Sequence, residues 1–315
     1  MAGEWRTILL DRGDEGVRVD RVLLRHLRHE RGVSRNRIQK WIEAGDVLIN
    51  SAAPPRAAWR VQAGDELVVR VAQVAVRQRP QAQAIAIEIL YEDDDLLAVN
   101  KPSGLVVHPS FGNASGTLMN GLLELARRWP AGSKPALVGR LDKLTSGLVL
   151  VTKRTEIYVA LQRAMHARRI DKDYLAIVRG KASARGTIDL ALDRDPWDRR
   201  RVTVTDRGGQ PSITKYERLS TSDGFSLLRC RLITGRTHQI RVHLAARHWP
   251  IVGDATYGPK SGAASSADRA AAFPRQALHS WRMAFRQPRT GRELVIEAPM
   301  PEDMRALAAA IGLSA

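Results

Sequence analysis

The residues best placed to do chemistry lie in the stretch VGRLDKLTSGLVLVTK, from Val138 to Lys153. It sets Arg140, Leu141 and Asp142 in a short polar loop before Leu148-Val149-Leu150-Val151. That apolar run does not alternate and is bounded by Gly147 and Lys153, so it reads as a strand buried on both faces. Asp142, six residues upstream of the run, must therefore sit at the edge of the core. A carboxylate there is costly unless it is paired or put to use. Downstream, GRTHQIRVH offers Arg236 and Arg241, either of which could close a bidentate fork on Asp142 and orient it. From the residues alone two readings stay open: a reactive carboxylate, or a buried structural ion pair.

Several other chemistries are excluded. The Gly-x-Ser-x-Gly elbow of a Ser-His-Asp hydrolase is absent. LDKLTSG has a passing likeness to the aspartic-protease loop, but that chemistry shares a proton between two carboxylates and no second copy exists. His238 and His243 are five apart and lack the Glu of a zinc-protease motif, so each is expected to bond backbone or touch phosphate. Neither a phosphate-cradling glycine loop nor a dinucleotide fingerprint occurs, so no nucleotide cofactor is expected. The acids Asp93, Asp94 and Asp95 read as a solvated hairpin tip rather than a metal site. A single cysteine, Cys230, cannot form an intrachain disulfide or a Cys-rich zinc site, which points to the cytoplasm.

The elements that must carry these groups fall into two regions. Lys and Arg number 50 against 33 Asp and Glu, a net charge of +17 in 315 residues, which favours a polyanionic partner. The charge is dense from Arg18 to Lys40, where eight basic residues face two acids. Val22, Leu23 and Leu27 mark one amphipathic helix there; Ser34 caps a second that carries Arg35, Arg37 and Lys40 outside and Ile38, Trp41 and Ile42 inside. GDVLIN and AGDELVVRV follow as strands opened by Gly-Asp turns. Residues 72–86 lose periodicity and read as linker, and GPKSGAASSADRAAAFPRQ from Gly258 reads as an exposed loop. Beyond residue 86 strands and helices alternate. TEIYVALQRAMHARR is a helix with Thr155 as its cap, and KDYLAIVRG a strand with Tyr174, Ala176 and Val178 on one face. No run approaches the ~18 apolar residues of a membrane span, and the start lacks a signal-peptide pattern.

Two resemblances sharpen this. VRVDRVLLRHL, VSRNRIQKWIEAGDVLIN and VQAGDELVV resemble the small alpha-L RNA-binding domain, with Asn50-Ser51 where that family usually has Asn-Gly. LLAVNKPSGLVVHPS, GRLDKLTSGLVLVTK, KDYLAIVRG, TGRTHQIRVHLAARHWPIVGDATYG and LHSWRMAFRQPRTGRELVIEAPMPEDM resemble, in order, the RluA family of RNA pseudouridine synthases. The likeness runs from about residue 85 to 305.

The resemblance implies an α+β fold with a mixed, largely antiparallel sheet. Its expected boundaries are an RNA-binding module over 1–75, a linker over 76–86 and a catalytic domain over 87–315. It implies that Asp142 is the catalytic carboxylate, Tyr174 the base-stacking aromatic and Arg241 the partner of the Asp. Arg140 would enter the space vacated by a flipped base, Arg236 and His238 would contact RNA, and Leu278 would wall the pocket. Arg35, Arg37 and Lys40 would bind RNA from the first module. No metal or organic cofactor is implied, and a cytoplasmic monomer acting on large-subunit ribosomal RNA is expected. Gly139 stands where the family commonly has His. A binding or ribosome-assembly protein with a dormant site, or a hydrolase that releases the base, are the alternatives.

Overall fold

The computed structural model describes residues 4–30, 32–71, 80–110, 113–198, 201–259 and 273–314. The chain divides into two compact units, Met1–Arg79 and Pro80–Ala315. No helix among the described residues is long and apolar enough to cross a membrane.

The first unit contains β1 (Glu4–Leu9), α1 (Val19–His26), α2 (Arg35–Glu43), β2 (Val47–Ile49) and β3 (Glu66–Val71). Its antiparallel sheet has the order β1-β3-β2. Val22, Leu23, Ile38 and Trp41 from the helices pack on Leu67 and Val69 of β3. The Ser34 hydroxyl accepts from Arg37 N at the start of α2. Beyond the expected two helices and two strands, the N-terminal stretch adds an edge strand. After β2 a two-residue turn puts both Asn50 (φ 49°) and Ser51 (φ 67°) in the left-handed region. A glycine at the second place would sit there without strain.

The second unit runs through β4 (Glu88–Glu92), β5 (Leu96–Lys101), α3 (Leu118–Leu125), β6 (Ala136–Val138), β7 (Ser146–Thr152), α4 (Thr155–His166) and β8 (Asp171–Arg179). It continues with β9 (Arg185–Asp189), β10 (Leu192–Arg194), β11 (Val202–Val204), β12 (Ile213–Ser222), β13 (Phe225–Leu232) and α5 (Gln239–Ala246), and closes with β14 (Leu278–Arg286), β15 (Glu293–Glu297) and α6 (Glu302–Ala310). Its ten-stranded sheet has the path β4-β5-β7-β14-β8-β13-β12-β9, with β15 on β14 and β6 on β7. Only β7 and β14 pair in parallel, so the sheet is mixed and largely antiparallel, in an α+β fold.

The greasy run of β7 is explained by helices on both faces. Leu148 and Leu150 pack with Ile157 and Leu161 of α4, while Val149 and Val151 pack with Leu118 and Leu122 of α3. Truncating any of these leucines to Ala would cost about 2–5 kcal/mol. The strand opens at Ser146 and passes through Gly147 instead of being bounded by it. At φ 109°, a Cβ on Gly147 would lie 2.2 Å from Ser280 O, so only glycine lets β7 and β14 approach.

Three further local expectations are corrected. Thr155 is the first helical residue of α4, and the cap position is Arg154, which makes no side-chain cap bond. Of the segment read as linker, 80–86 lies along α3: Gln83 N donates to Asn120 O, and Asn120 Nδ2 donates to Gln81 O; residues 72–79 lie outside the described residues. The exposed loop expected after Gly258 falls mostly on 260–272, also outside them. The acids at 93–95 are not a wholly solvated tip: Asp93 Oδ1 accepts from Asp95 N and Leu96 N, while Asp95 is buried and its Oδ2 accepts from Gln287 Nε2 at 3.0 Å and pairs with Arg289 Nε at 2.7 Å.

Candidate active site

The loop from Gly139 to Thr145 joins β6 to β7, and its carbonyls are tied one by one. Thr145 N donates to Asp142 O. Lys143 O accepts from Gly104 N and from Lys101 Nζ at 3.1 Å. Leu144 O accepts from Ser103 Oγ at 3.0 Å and Arg275 Nη1 at 3.3 Å. Lys101 is fully buried, and its ammonium also donates to Pro102 O and Leu105 O. Burial first, then the Arg275 charge, draws its pKa down to about 8, against the opposing pull of Asp142. The NKPSG segment thus acts as a clamp beneath the Asp142 loop. Gly139 (φ 99°) starts the loop in a conformation that L side chains rarely adopt, so the backbone here suits the glycine and not a histidine.

Asp142 lines a cleft of about 640 Å³ together with Arg140, Tyr174, Arg236, His238, Arg241 and Leu278. That volume is in the range of small-ligand sites. Arg241 Nη1 donates to Asp142 Oδ2 at 3.0 Å. The fork of Arg241, however, closes on Asp254: Nε donates to Oδ2 at 2.7 Å and Nη2 to Oδ1 at 2.8 Å. Asp254 Oδ1 also accepts from Thr256 N and Tyr257 N. Burial alone would raise the Asp254 carboxyl, but the Arg241 bonds and charge outweigh it and hold it below the usual carboxylate range. Burial would likewise lower Arg241, yet the two carboxylates reverse this and keep it a cation.

His238 occupies the cap of α5 at φ 56°. Its Nε2 lies 3.8 Å from Asp142 Oδ2, and its Nδ1 lies 2.9 Å from the Tyr257 hydroxyl. That hydroxyl accepts from Val202 N at 2.9 Å and so has its own proton for Nδ1. The arrangement leaves the ring hydrogen on Nε2, facing Asp142. Burial is the main cause that lowers the His238 pKa, so the neutral ring is favoured. The guanidinium carbons of both Arg241 (5.0 Å) and Arg201 (5.5 Å) lie over the Tyr257 ring. Asp142 Oδ1 accepts no hydrogen bond among the described residues, which leaves one oxygen of the carboxylate for an incoming group.

Tyr174 lines the cleft but is only 7% exposed. Burial pushes its hydroxyl up to about 12, so it remains a neutral phenol at all working pH. Arg140 and Arg236 are exposed on the cleft wall, and Arg236 N donates to Gln239 Oε1. Leu278 is both wall and core. His243 is buried and structural: its Nε2 donates to Leu190 O and its Nδ1 accepts from Thr214 Oγ1. Asp171 is a second carboxylate at the cleft, half exposed and paired with Arg231 at 3.2 Å. In the first unit Arg35 Nε donates to the buried Asp20, Arg37 Nη1 donates to Gly32 O, and Lys40 is exposed. Burial would raise Asp20, but bonds from Arg18 and Arg35 override it and hold it low.

Sequence reasoning missed Lys101, Asp254, Tyr257 and Arg275. Three of them stand in stretches that carried the resemblance, NKPSG and VGDATYG, but nothing local to them says that they face Asp142.

The comparisons with known proteins give the class to which this fold and its Asp142 cleft belong, the RNA-modifying isomerases. The RNA pseudouridylate synthase family profile matches residues 95–246. The chain is 42% identical over 296 residues to the ribosomal large subunit pseudouridine synthase D of Nitrosomonas europaea, covering 94% of this chain and 85% of that one. An uncharacterized RNA pseudouridine synthase of Bacillus subtilis is 38% identical, over 87% of this chain and 88% of its own length. In fold, the human RNA pseudouridylate synthase domain containing 4 matches with a TM-score of 0.61 at 23% identity, over 72% of this chain and 94% of that one. The chain belongs to the RluA family of RNA pseudouridine synthases. It is an isomerase that turns uridine in RNA into pseudouridine.

Proposed function

We propose that this chain modifies uridines of large-subunit ribosomal RNA, as a cytoplasmic monomer, with Asp142 as the catalytic carboxylate. The reading rests on one observation above others: Asp142 faces the cleft with one oxygen held by Arg241 at 3.0 Å and the other free. The substrate reading draws on the names of the relatives and on the basic first unit, where Arg35, Arg37 and Lys40 are the proposed phosphate contacts.

In the reaction a uridine is flipped out of the RNA, at a cost of a few kcal/mol that is least in loops. Its N1–C1′ bond breaks, the base turns within the cleft, and C5 bonds to C1′. The C5 proton leaves while N1 takes one up, so nothing is added or lost overall. Asp142 acts on the ribose through its free oxygen while Arg241 fixes the carboxylate's direction. Tyr174 presents its ring edge or face to the turning base, and Arg140 fills the gap in the RNA. Glycoside hydrolysis uses a second carboxylate to activate water; here Asp171 is engaged with Arg231, which suits an isomerisation that must keep water out.

The test is incubation of the full chain, without added metal or cofactor, with unmodified large-subunit ribosomal RNA, with transfer RNA and with assembled subunits. Pseudouridine formed at defined positions of the large-subunit RNA is the expected result. Modification confined to transfer RNA would overturn the substrate, and release of free uracil would overturn the isomerase chemistry.

A further inference from the structure

Lys172 brings an unpaired cation into the active-site cleft. It stands on β8 two residues before Tyr174, and both side chains line the cleft with Asp142. Alternation along a strand puts such a pair on one face, about 7 Å apart. Lys172 therefore rises from the same wall as the aromatic ring.

Its surroundings suit an apolar side chain better than a charge. Lys172 is paired across the sheet with Met283, which lines the cleft together with Ile170 and Leu232. The one acceptor that Nζ reaches is the thioether of Met165 near the end of α4, at 4.0 Å, and sulfur accepts weakly. Gly235 passes so close that a Cβ there would lie 3.3 Å from Nζ. No carboxylate among the described residues pairs with the ammonium: Asp142 is held by Arg241 and Asp171 by Arg231. Burial lowers the Lys172 pKa with nothing to offset it, so the neutral amine forms more readily than on an exposed lysine.

The isomerisation needs such an amine. Once C5 has bonded to C1′, C5 still carries its hydrogen, while N1 is double-bonded to C6 and carries none. Few groups in the cleft suit the transfer that must follow. Tyr174, pushed up to about 12, is a neutral phenol and a poor base. His238 keeps its hydrogen on Nε2 and spends Nδ1 on the Tyr257 hydroxyl. His166 is exposed at the end of α4, with Nδ1 on Gln162 O. Arginine does not give up its proton in proteins.

We propose that Lys172 is the catalytic base that removes the C5 proton and then reprotonates N1. The neutral amine takes the proton from C5. The C–H pair becomes the C5=C6 bond, the N1=C6 pair moves onto N1, and N1 takes a proton from the new ammonium, which restores the amine. The C5 hydrogen lies next to the C4 carbonyl, which makes it acidic enough for an amine to remove. The proposal rests on the isomerase reading and supplies the group that takes the C5 proton.

The experiment is a single turnover of the full chain, in saturating excess, on a ribosomal RNA fragment that the wild type modifies and that carries tritium at C5. Lys172→Met keeps the length and apolar fit of the side chain and removes the amine. Its tritium release is expected to be about 100-fold slower, the low end of what a general base supplies, with RNA affinity unchanged. Deuterium at C5 should slow pseudouridine formation more in this variant than in the wild type, because proton loss has become the slow step. Lys172→Arg should be as slow as Lys172→Met, since a guanidinium keeps the charge but accepts no proton. The melting temperature of Lys172→Met should not fall, because no ion pair is lost and a desolvated charge is removed. Tritium release at the wild-type rate in Lys172→Met overturns the proposal. Recovery in Lys172→Arg alone overturns it too, because charge and not basicity would then be what the cleft requires. A wild type that released no tritium from large-subunit or transfer RNA would instead overturn the isomerase reading itself.

Discussion

Arg241 reaches Asp142 with a single nitrogen because its fork is already closed on Asp254. One guanidinium therefore bridges two carboxylates, a buried one that fixes it and a cleft-facing one that it fixes in turn. Planarity is what makes this possible: five donors in one rigid plane can serve both partners, and an ammonium cannot.

Arg241→Lys is accordingly expected to lower kcat/KM for pseudouridine formation about 100-fold, the scale of a misplaced reacting group. Asp254→Asn should do the same while touching nothing in the cleft directly, and should cost about 3 kcal/mol of stability because Arg241 loses its buried partner. Steady-state rates beside urea unfolding curves check both. A variant of Asp254 with full activity would show that Asp142 needs no such support.

Tyr257→Phe removes the hydroxyl between Val202 N and His238 Nδ1 but keeps the ring beneath the two guanidiniums. Losing a donor to Nδ1 removes a bond that favours the neutral ring, so the His238 pKa should rise. The acid limb of the pH–rate profile should move to higher pH, because the ring beside Asp142 gains its charge earlier as pH falls. An unchanged acid limb would mean that His238 takes no part in the pH dependence.

His279 supplies a pH dependence of stability. It is fully buried, donates from Nε2 to Ala298 O and accepts from Ser146 Oγ at Nδ1. Burial is the main cause that pulls its pKa from 6.5 to about 4. Between those values the unfolded chain binds the proton and the folded chain does not, so stability is full above pH 6.5 and falls as pH drops toward 4. The loss reaches about 3 kcal/mol at one pKa unit per 1.36 kcal/mol. Urea midpoints measured from pH 7 to 4.5 should fall more steeply for the wild type than for His279→Gln, which keeps both bonds without the titration. Parallel slopes would contradict the assignment.

In the first unit, Ser51 holds a left-handed conformation in a turn that suits Asn-Gly. Ser51→Gly should raise stability by about 1 kcal/mol, most of the cost of placing an L residue there. Thermal unfolding of the full chain, followed at the first unit's transition, reads the change; a lower midpoint would show that the serine is relaxed.

What could be read in advance divides by distance along the chain. The two helices of the first unit and the doubly buried β7 carry their signals within a few residues, as spacing or as an unbroken apolar run; Asp142 stands out locally as a carboxylate at the core edge, and the roles of Asp142 and Tyr174 come from the resemblance. Asp254 and Tyr257 do not: Arg241 stands 99 residues from Asp142 and 13 from Asp254, and local sequence cannot say which carboxylate takes the fork. The same blindness hid Lys101, whose burial is visible only once three carbonyls converge on it. β1 carries no such local signal because, as an edge strand, it leaves Trp5 and Leu9 largely exposed. The helix cap at Thr155 failed by one residue because a polar side chain at the right place need not make the capping bond.

The central claim, that Asp142 performs the chemistry, is tested most directly with ribosomal RNA carrying uridine tritiated at C5, since only isomerisation expels that hydrogen. The wild-type chain should release tritium into water and leave no free uracil, whereas Asp142→Asn should release none while binding the RNA and melting as the wild type does. Tritium release by Asp142→Asn at a rate near that of the wild type would contradict the account.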